Sequence, residues 1–259
     1  MPEEQLKNPP IIEALVEIKW ELKEKTSAGY YDPHYQLLLG TFYQNIKSMY
    51  PFHEALPTSE IPDDVTGSVV KHRFRVGDGE WPLVQIGPGI ITINETEKYD
   101  TFATFKPKAI GVVKALFKSY PNIKDLKISS LQIRYIDGVE FDYSKENICE
   151  FISNKMHIES KTPNCLIIQD NTEQFPTRYS LGTTLRCSTP PGIASFQVNT
   201  GHRFKQRAVI WNQIFESMEP DLPDMPNGFD EWITKAHDVI DIWFKGIIEG
   251  DLKEEFNRG

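Results

Sequence analysis

Lys71, Arg73 and Arg75 occupy alternate positions in the stretch KHRFR. Alternate side chains of an extended strand share a face, so the three cations are predicted to project together, opposite His72, Phe74 and Val76. Arg134, Arg178, Arg186, Arg203 and Arg207 fall in or beside other predicted strands. If several converge, they form a guanidinium-lined surface suited to phosphate or carboxylate. If they do not, they are the solvated side of a one-sided antiparallel sheet. The ligand-binding candidates are therefore Lys71, Arg73, Arg75 and Arg134.

Acid–base chemistry has two weaker candidates. His237, followed by Asp238 and Asp241, has the composition of a general base oriented by a carboxylate. Its other reading is a helix-surface histidine among solvated acids. In YIDGVEFD, Asp137, Glu140 and Asp142 crowd a strand end, a grouping that holds Mg²⁺ when it converges on phosphate. Asp137-Gly138 is turn chemistry, however, and predicts that these acids lie in water. The six histidines show no HxxxH or HExxH spacing and none sits beside a cysteine, so no metal site is expected. GxSxG, Walker and GxGxxG patterns are absent too, and no cofactor is expected.

The chain has 259 residues, 39% of them hydrophobic and 25% charged, enough to bury a real core. A net charge of -9 argues against non-specific nucleic-acid binding, which depends on cations meeting phosphates. Cys149, Cys165 and Cys187 are sparse and odd in number, as in a reducing compartment. The polar start MPEEQLKNPP lacks an apolar signal region, and no apolar run approaches the ~20 residues of a membrane span. Together these predict a cytoplasmic protein.

The elements that must position the candidates follow from periodicity. A strand is predicted over 11–22, then a helix entered through Asp32-Pro33 with Tyr35, Leu38, Leu39, Phe42 and Ile46 on one face. Pro51, Pro57 and Pro62 predict an irregular loop. Three strands follow, at 68–76, 81–87 and 89–95, and then a helix over 99–119 in which Pro107 predicts a kink or a start near Lys106. The order then recurs: a strand at 126–136, a helix at 145–155, an irregular stretch over 157–176, and strands at 177–188, 192–200 and 208–215. The last helix, 229–248, carries Phe229, Trp232, Ala236, Val239, Ile240, Trp243 and Ile247 on one face. Trp20, Phe42, Ile110, Tyr135, Trp232, Ile240 and Trp243 are the predicted core.

Strand, helix, three strands, helix is thus written twice. His-Arg-Phe occurs at 72–74 and again at 202–204. The same displacement relates Trp81 to Trp211, Tyr99 to Phe229, Asp100 to Asp230 and Ile110 to Ile240. The first strands need a different displacement. The predicted fold is α+β, built from two related halves, 1–122 and 123–259, forming one unit. Its antiparallel sheet carries helices on one face, an order that resembles TATA-binding-protein-like and helix-grip folds.

The N-terminal strand, GPGIITIN at 87–94, Tyr99 with Phe102, Phe105 and Pro107, Leu131 to Asp137 and Ala236-His237 together resemble a sporadically distributed family of uncharacterised prokaryotic proteins of about this length. The likeness covers essentially the whole chain and brings no catalytic residues with it. It implies an accessory gene of the kind found in defence or toxin–antitoxin neighbourhoods.

Two functions fit the sequence. One is a non-catalytic binding protein that uses the open sheet face, or a cleft between the halves, to hold a protein partner or a small anionic ligand. The other is an enzyme acting on a phosphorylated or nucleotide-like substrate, with the arginines as clamp and His237 or Asp137 as acid/base. Assembly as a homodimer is compatible with both.

Overall fold

A computed structural model describes residues 6–96, 99–163, 175–176 and 178–258. Nine strands form one antiparallel sheet. In chain order they are β1 (Ile11–Trp20), β4 (Phe52–Ala55), β5 (His72–Arg75), β6 (Leu83–Gly87), β7 (Ile90–Glu95), β8 (Ile128–Glu140), β9 (Ser180–Ser188), β10 (Pro191–Arg203) and β11 (Gln206–Met218); β2 (Glu24–Lys25) and β3 (Tyr30–Tyr31) make a separate two-stranded ribbon. Across the sheet the order is β4-β5-β6-β7-β1-β8-β11-β10-β9. The two first-predicted strands, β1 and β8, are central and pair with each other, Val16 facing Ile133 and Ala14 facing Tyr135. Outward from β1 run β7, β6 and β5, and outward from β8 run β11, β10 and β9.

Side-chain parity decides what each face meets. Ala14, Val16, Ile18 and Trp20 of β1, Leu131, Ile133 and Tyr135 of β8, Ile91 and Ile93 of β7 and Phe215 of β11 are buried in one cluster. Their partners are Leu38 and Phe42 of α1 (Tyr35–Ile46), Phe105 and Val112 of α3 (Phe102–Ser119), and Trp232 and Ile240 of α5 (Phe229–Ile248). Glu17, Gln132 and Arg134, on the other parity, stay partly exposed. A second cluster packs α4 (Ile148–Lys155) and α6 (Asp251–Asn257) over Phe196, Val198, Val209 and Trp211. Those strand residues share the parity of Phe215.

The predicted core residues Trp20, Phe42, Tyr135, Trp232 and Ile240 are buried. Ile110 and Trp243 are only partly so, Trp243 because it lies where the two clusters meet and packs against both. Two local expectations need correction. The proline-marked loop contains β4 and a one-turn helix, α2 (Asp63–Thr66). The second helix does not start near Lys106. It opens at Thr101, whose hydroxyl and that of Thr104 form a capping box, and runs through Pro107. Asp32 does accept a backbone amide at the entry to α1, the N–H of His34, the residue just ahead of the helix. Cys165 and most of the predicted irregular stretch lie outside the described residues.

Candidate functional site

Pro9 and Pro10 have no N–H to give a ladder, so β1 begins at Ile11 and the lead segment is released from the sheet. It is tied instead to the C-terminal helix, Asn8 N–H donating to Phe256 O at 2.8 Å and the Asn8 amide to Arg258 O at 2.7 Å. Between this lead, the helix-facing side of β8 and β11, and the last turns of α5 lies a cavity of about 500 Å³. Residues Tyr99, Asp100 and Thr101, at the entry to α3, complete the wall. Both halves of the sequence therefore line it.

The two acid–base candidates, Asp137 and His237, line this same cavity. The Asp137-Gly138 turn predicted from sequence does not form. β8 continues through both residues to Glu140, with Asp137 facing Trp211 of β11 and Gly138 N–H donating to Pro10 O. A Cβ at 138 would stand 2.7 Å from Ile210 Cδ1 and 2.8 Å from Ile12 Cδ1, so a larger residue there would have to push both methyl ends aside. Asp137 is thereby held inside the protein at 2% exposure. Burial pushes its carboxyl up to about 7, with the Arg203 guanidinium pulling the other way. Its Oδ2 has no hydrogen-bond partner among the described residues.

Gln213 sits directly across from Tyr135, diagonal to Asp137 and on the same face. Its Nε2 donates to Ile240 O at 3.3 Å, which fixes the amide orientation and turns Oε1 away as an acceptor. That Oε1, fully buried, also has no donor among the described residues. Each such group costs about 1–3 kcal/mol if nothing ever satisfies it. Of the nearby donors, Arg203 Nη1 goes to Gly138 O at 2.7 Å and the Gln213 amide to Ile240 O, while Arg203 Nε is buried with no acceptor among the described residues. Trp211 Nε1, across from Asp137, has no acceptor among the described residues, but Trp211 does not line the cavity.

His237 is not the surface histidine of the sequence reading. Its ring stacks on Phe102 with centroids 3.7 Å apart, and Tyr135 Oη lies 3.0 Å from Nδ1. Tyr99 Oη donates to Tyr135 Oη at 3.3 Å, extending the chain of polar contacts. Burial lowers the imidazole to about 4 despite Asp241, so His237 is neutral at pH 7. The remaining wall is mixed: Pro9, Pro10, Ile11, Ile240, Phe244 and Ile248 are apolar, and Lys7, Asp100, Asp241, Lys245, Glu249 and Lys253 are charged.

The basic candidates go to the opposite side. Arg73, Arg75 and Arg134 project from the face that the helices leave open. β5 and β8 are four strand spacings apart, however, about 19 Å, so Arg73 and Arg134 do not converge. Arg73 binds Gln85 and Glu54, Arg75 binds Glu54 and Glu80 O, and Arg134 binds Asn212 Oδ1 at 2.6 Å. Lys71 is 2% exposed, bound to Asp63 and to Ile61 O. Glu140 ends β8 exposed, and Asp142 is held well below the usual carboxylate range by Ser144, Lys145 and Arg207. The three acids therefore do not gather. No group of three or more metal-ligating side chains is placed to hold an ion among the described residues. Within those residues no helix is long and apolar enough to cross a membrane.

Sequence reasoning missed Gln213 and the lead segment. The signal was present: Val209, Trp211, Gln213 and Phe215 share one parity, and a glutamine interrupts an otherwise apolar row. Asp137 interrupts the row of β8 in the same way. No protein-family model matches this chain, and no curated protein does.

Proposed function

We propose that this chain is a non-catalytic binding protein that holds a small ligand in the cleft between its two halves. The observation that carries this reading is a pair of buried acceptors, Asp137 Oδ2 and Gln213 Oε1, which have no partner among the described residues and belong to side chains lining one cavity of about 500 Å³. A fold that retains such groups at their desolvation cost has a use for them. The proposed duplication supplies the cleft. β1 with β5–β7, α1 and α3 answers to β8 with β9–β11, α4 and α5, in the manner of TATA-binding-protein-like or helix-grip folds. The likeness to sporadically distributed prokaryotic proteins would give this binding role an accessory setting, such as defence or toxin–antitoxin control.

The test is a thermal-shift screen of small metabolites on wild type and on Gly246→Phe. Gly246 lies on α5 at the cavity wall, and a Cβ there meets nothing within 4 Å, so the ring enters open space without backbone strain. A ligand at a hundredfold its Kd stabilises wild type by about 2.7 kcal/mol. The reading predicts that the plugged variant folds and loses that shift. Equal shifts in both proteins would remove the cavity from consideration. A second reading, an enzyme, is favoured by one observation: a carboxyl poised near 7 beside a neutral imidazole suits general acid–base work. Turnover of a screened ligand, lost in Asp137→Asn, would establish it.

A further inference from the structure

We infer, building on the cavity-binding reading above, that the ligand inserts a planar cationic N–H group, an amidinium or guanidinium, between Asp137 and Gln213. With Asp137 ionised both groups are acceptors, so a cationic ligand brings the donors and draws the carboxyl down from about 7. A simple carboxylate or phosphate would place acceptor against acceptor there. The two acceptors are diagonal neighbours on adjacent strands rather than one forked carboxylate. One donor atom serves them poorly, whereas a planar group with N–H bonds in several directions reaches both. Asp137 supplies the counter-charge, and its buried setting strengthens that attraction. His237, neutral at pH 7, adds no positive charge, and the lysines of the wall, Lys7, Lys245 and Lys253, share it with the acids Asp100, Asp241 and Glu249. Beyond the polar end, Pro9, Pro10, Ile240, Phe244 and Ile248 call for an apolar or aromatic body.

Three probes of one shape separate the chemistries: benzamidine, cationic with four N–H bonds; benzamide, its neutral relative; and benzoate, an anion. Binding to the full-length chain is measured at neutral pH by calorimetry and ligand-observed NMR. The expected order is benzamidine, then benzamide, with benzoate not detected. Asp137→Asn keeps the shape and should weaken benzamidine at least about tenfold while leaving benzamide nearly unchanged. Gln213→Met is the second variant, should the first fail to fold, and should weaken benzamidine and benzamide together. Benzoate binding as tightly as benzamidine, benzamidine indifferent to both substitutions, or no benzamidine binding at millimolar concentration would each overturn the inference. The Gly246→Phe arm separates this from failure of the cavity reading. If benzamide or benzoate binds wild type and is lost in the plugged protein, the cavity stands and only the ligand class is wrong. If every probe that binds is indifferent to the plug, both fall.

Discussion

Asp32 and Asp137 are buried alike, at 3% and 2% exposure, yet their surroundings differ in kind. Asp32 lies where the end of β1, the start of α1 and the end of α3 meet. It accepts from Trp20 Nε1 at 2.7 Å, Tyr120 Oη at 2.9 Å and the His34 backbone N–H at 2.9 Å. Each donor comes from a different element, so the carboxyl acts as a three-way joint. Asp137 sits at the edge of a cavity with one oxygen unpartnered among the described residues and the Arg203 guanidinium favouring its charge. A buried carboxyl can be structural mortar or an unused valence, and the donor count separates the two.

The sharpest way to break this comparison is to remove each carboxyl. Asp32→Ala leaves the Trp20 and Tyr120 donors buried without an acceptor and should destabilise by about 3–5 kcal/mol in urea denaturation. A loss near zero would mean that water or rearrangement replaces the joint. Asp137→Asn should act in the opposite direction at neutral pH. The folded protein holds this carboxyl up at about 7 against an ordinary value of 3.8, so its ionisation opposes folding. Below about pH 4 both states are protonated and nothing is lost. As pH rises from 4 to 7 the unfolded chain ionises first, and wild type loses stability relative to the variant by up to about 1.4 kcal/mol per pH unit. Above 7 the difference is constant.

His237 contributes with the reverse sign. Its lowered value, about 4, means that the unfolded chain takes a proton first as pH falls below 6.5, which costs stability down to 4. Over roughly pH 4–6.5 the two groups offset each other in wild type. Asp137→Asn removes one side and should expose a steeper acid sensitivity, readable as Tm against pH. An unchanged profile would place the Asp137 carboxyl in a solvated setting.

Smaller effects sharpen the contrast from the other end. Gly246→Phe should leave stability within about 1 kcal/mol of wild type, because phenylalanine is the better helix residue, while abolishing cavity binding. Arg73→Ala with Arg134→Ala removes cations on separate parts of the open sheet face, each held by one or two partners. The pair should cost only about 1 kcal/mol in total. A loss of several kcal/mol would show these arginines to be structural members of the sheet.

Periodicity alone determined the central strands, the three-strand runs and the last helix, whose predicted span 229–248 is the one observed. Strand and helix periods are local properties, set by which residues must face away from water. Parity likewise placed Arg73, Arg75 and Arg134 on the face away from the apolar row. What parity could not give is distance. Arg73 and Arg134 share a face but stand four strands apart, because strand order is set by which edges meet, not by alternation. Asp137 and His237 are a hundred positions apart in the chain, and nothing local links them. Only the pairing of β8 with β11, and the crossing of α5 over them, brought both to one cavity and put Gln213 beside them. Asp137-Gly138 shows the reason most plainly. In isolation the dipeptide prefers a turn, but Ile12 and Ile210 close on the glycine from both sides, and the sheet's ladder keeps it extended.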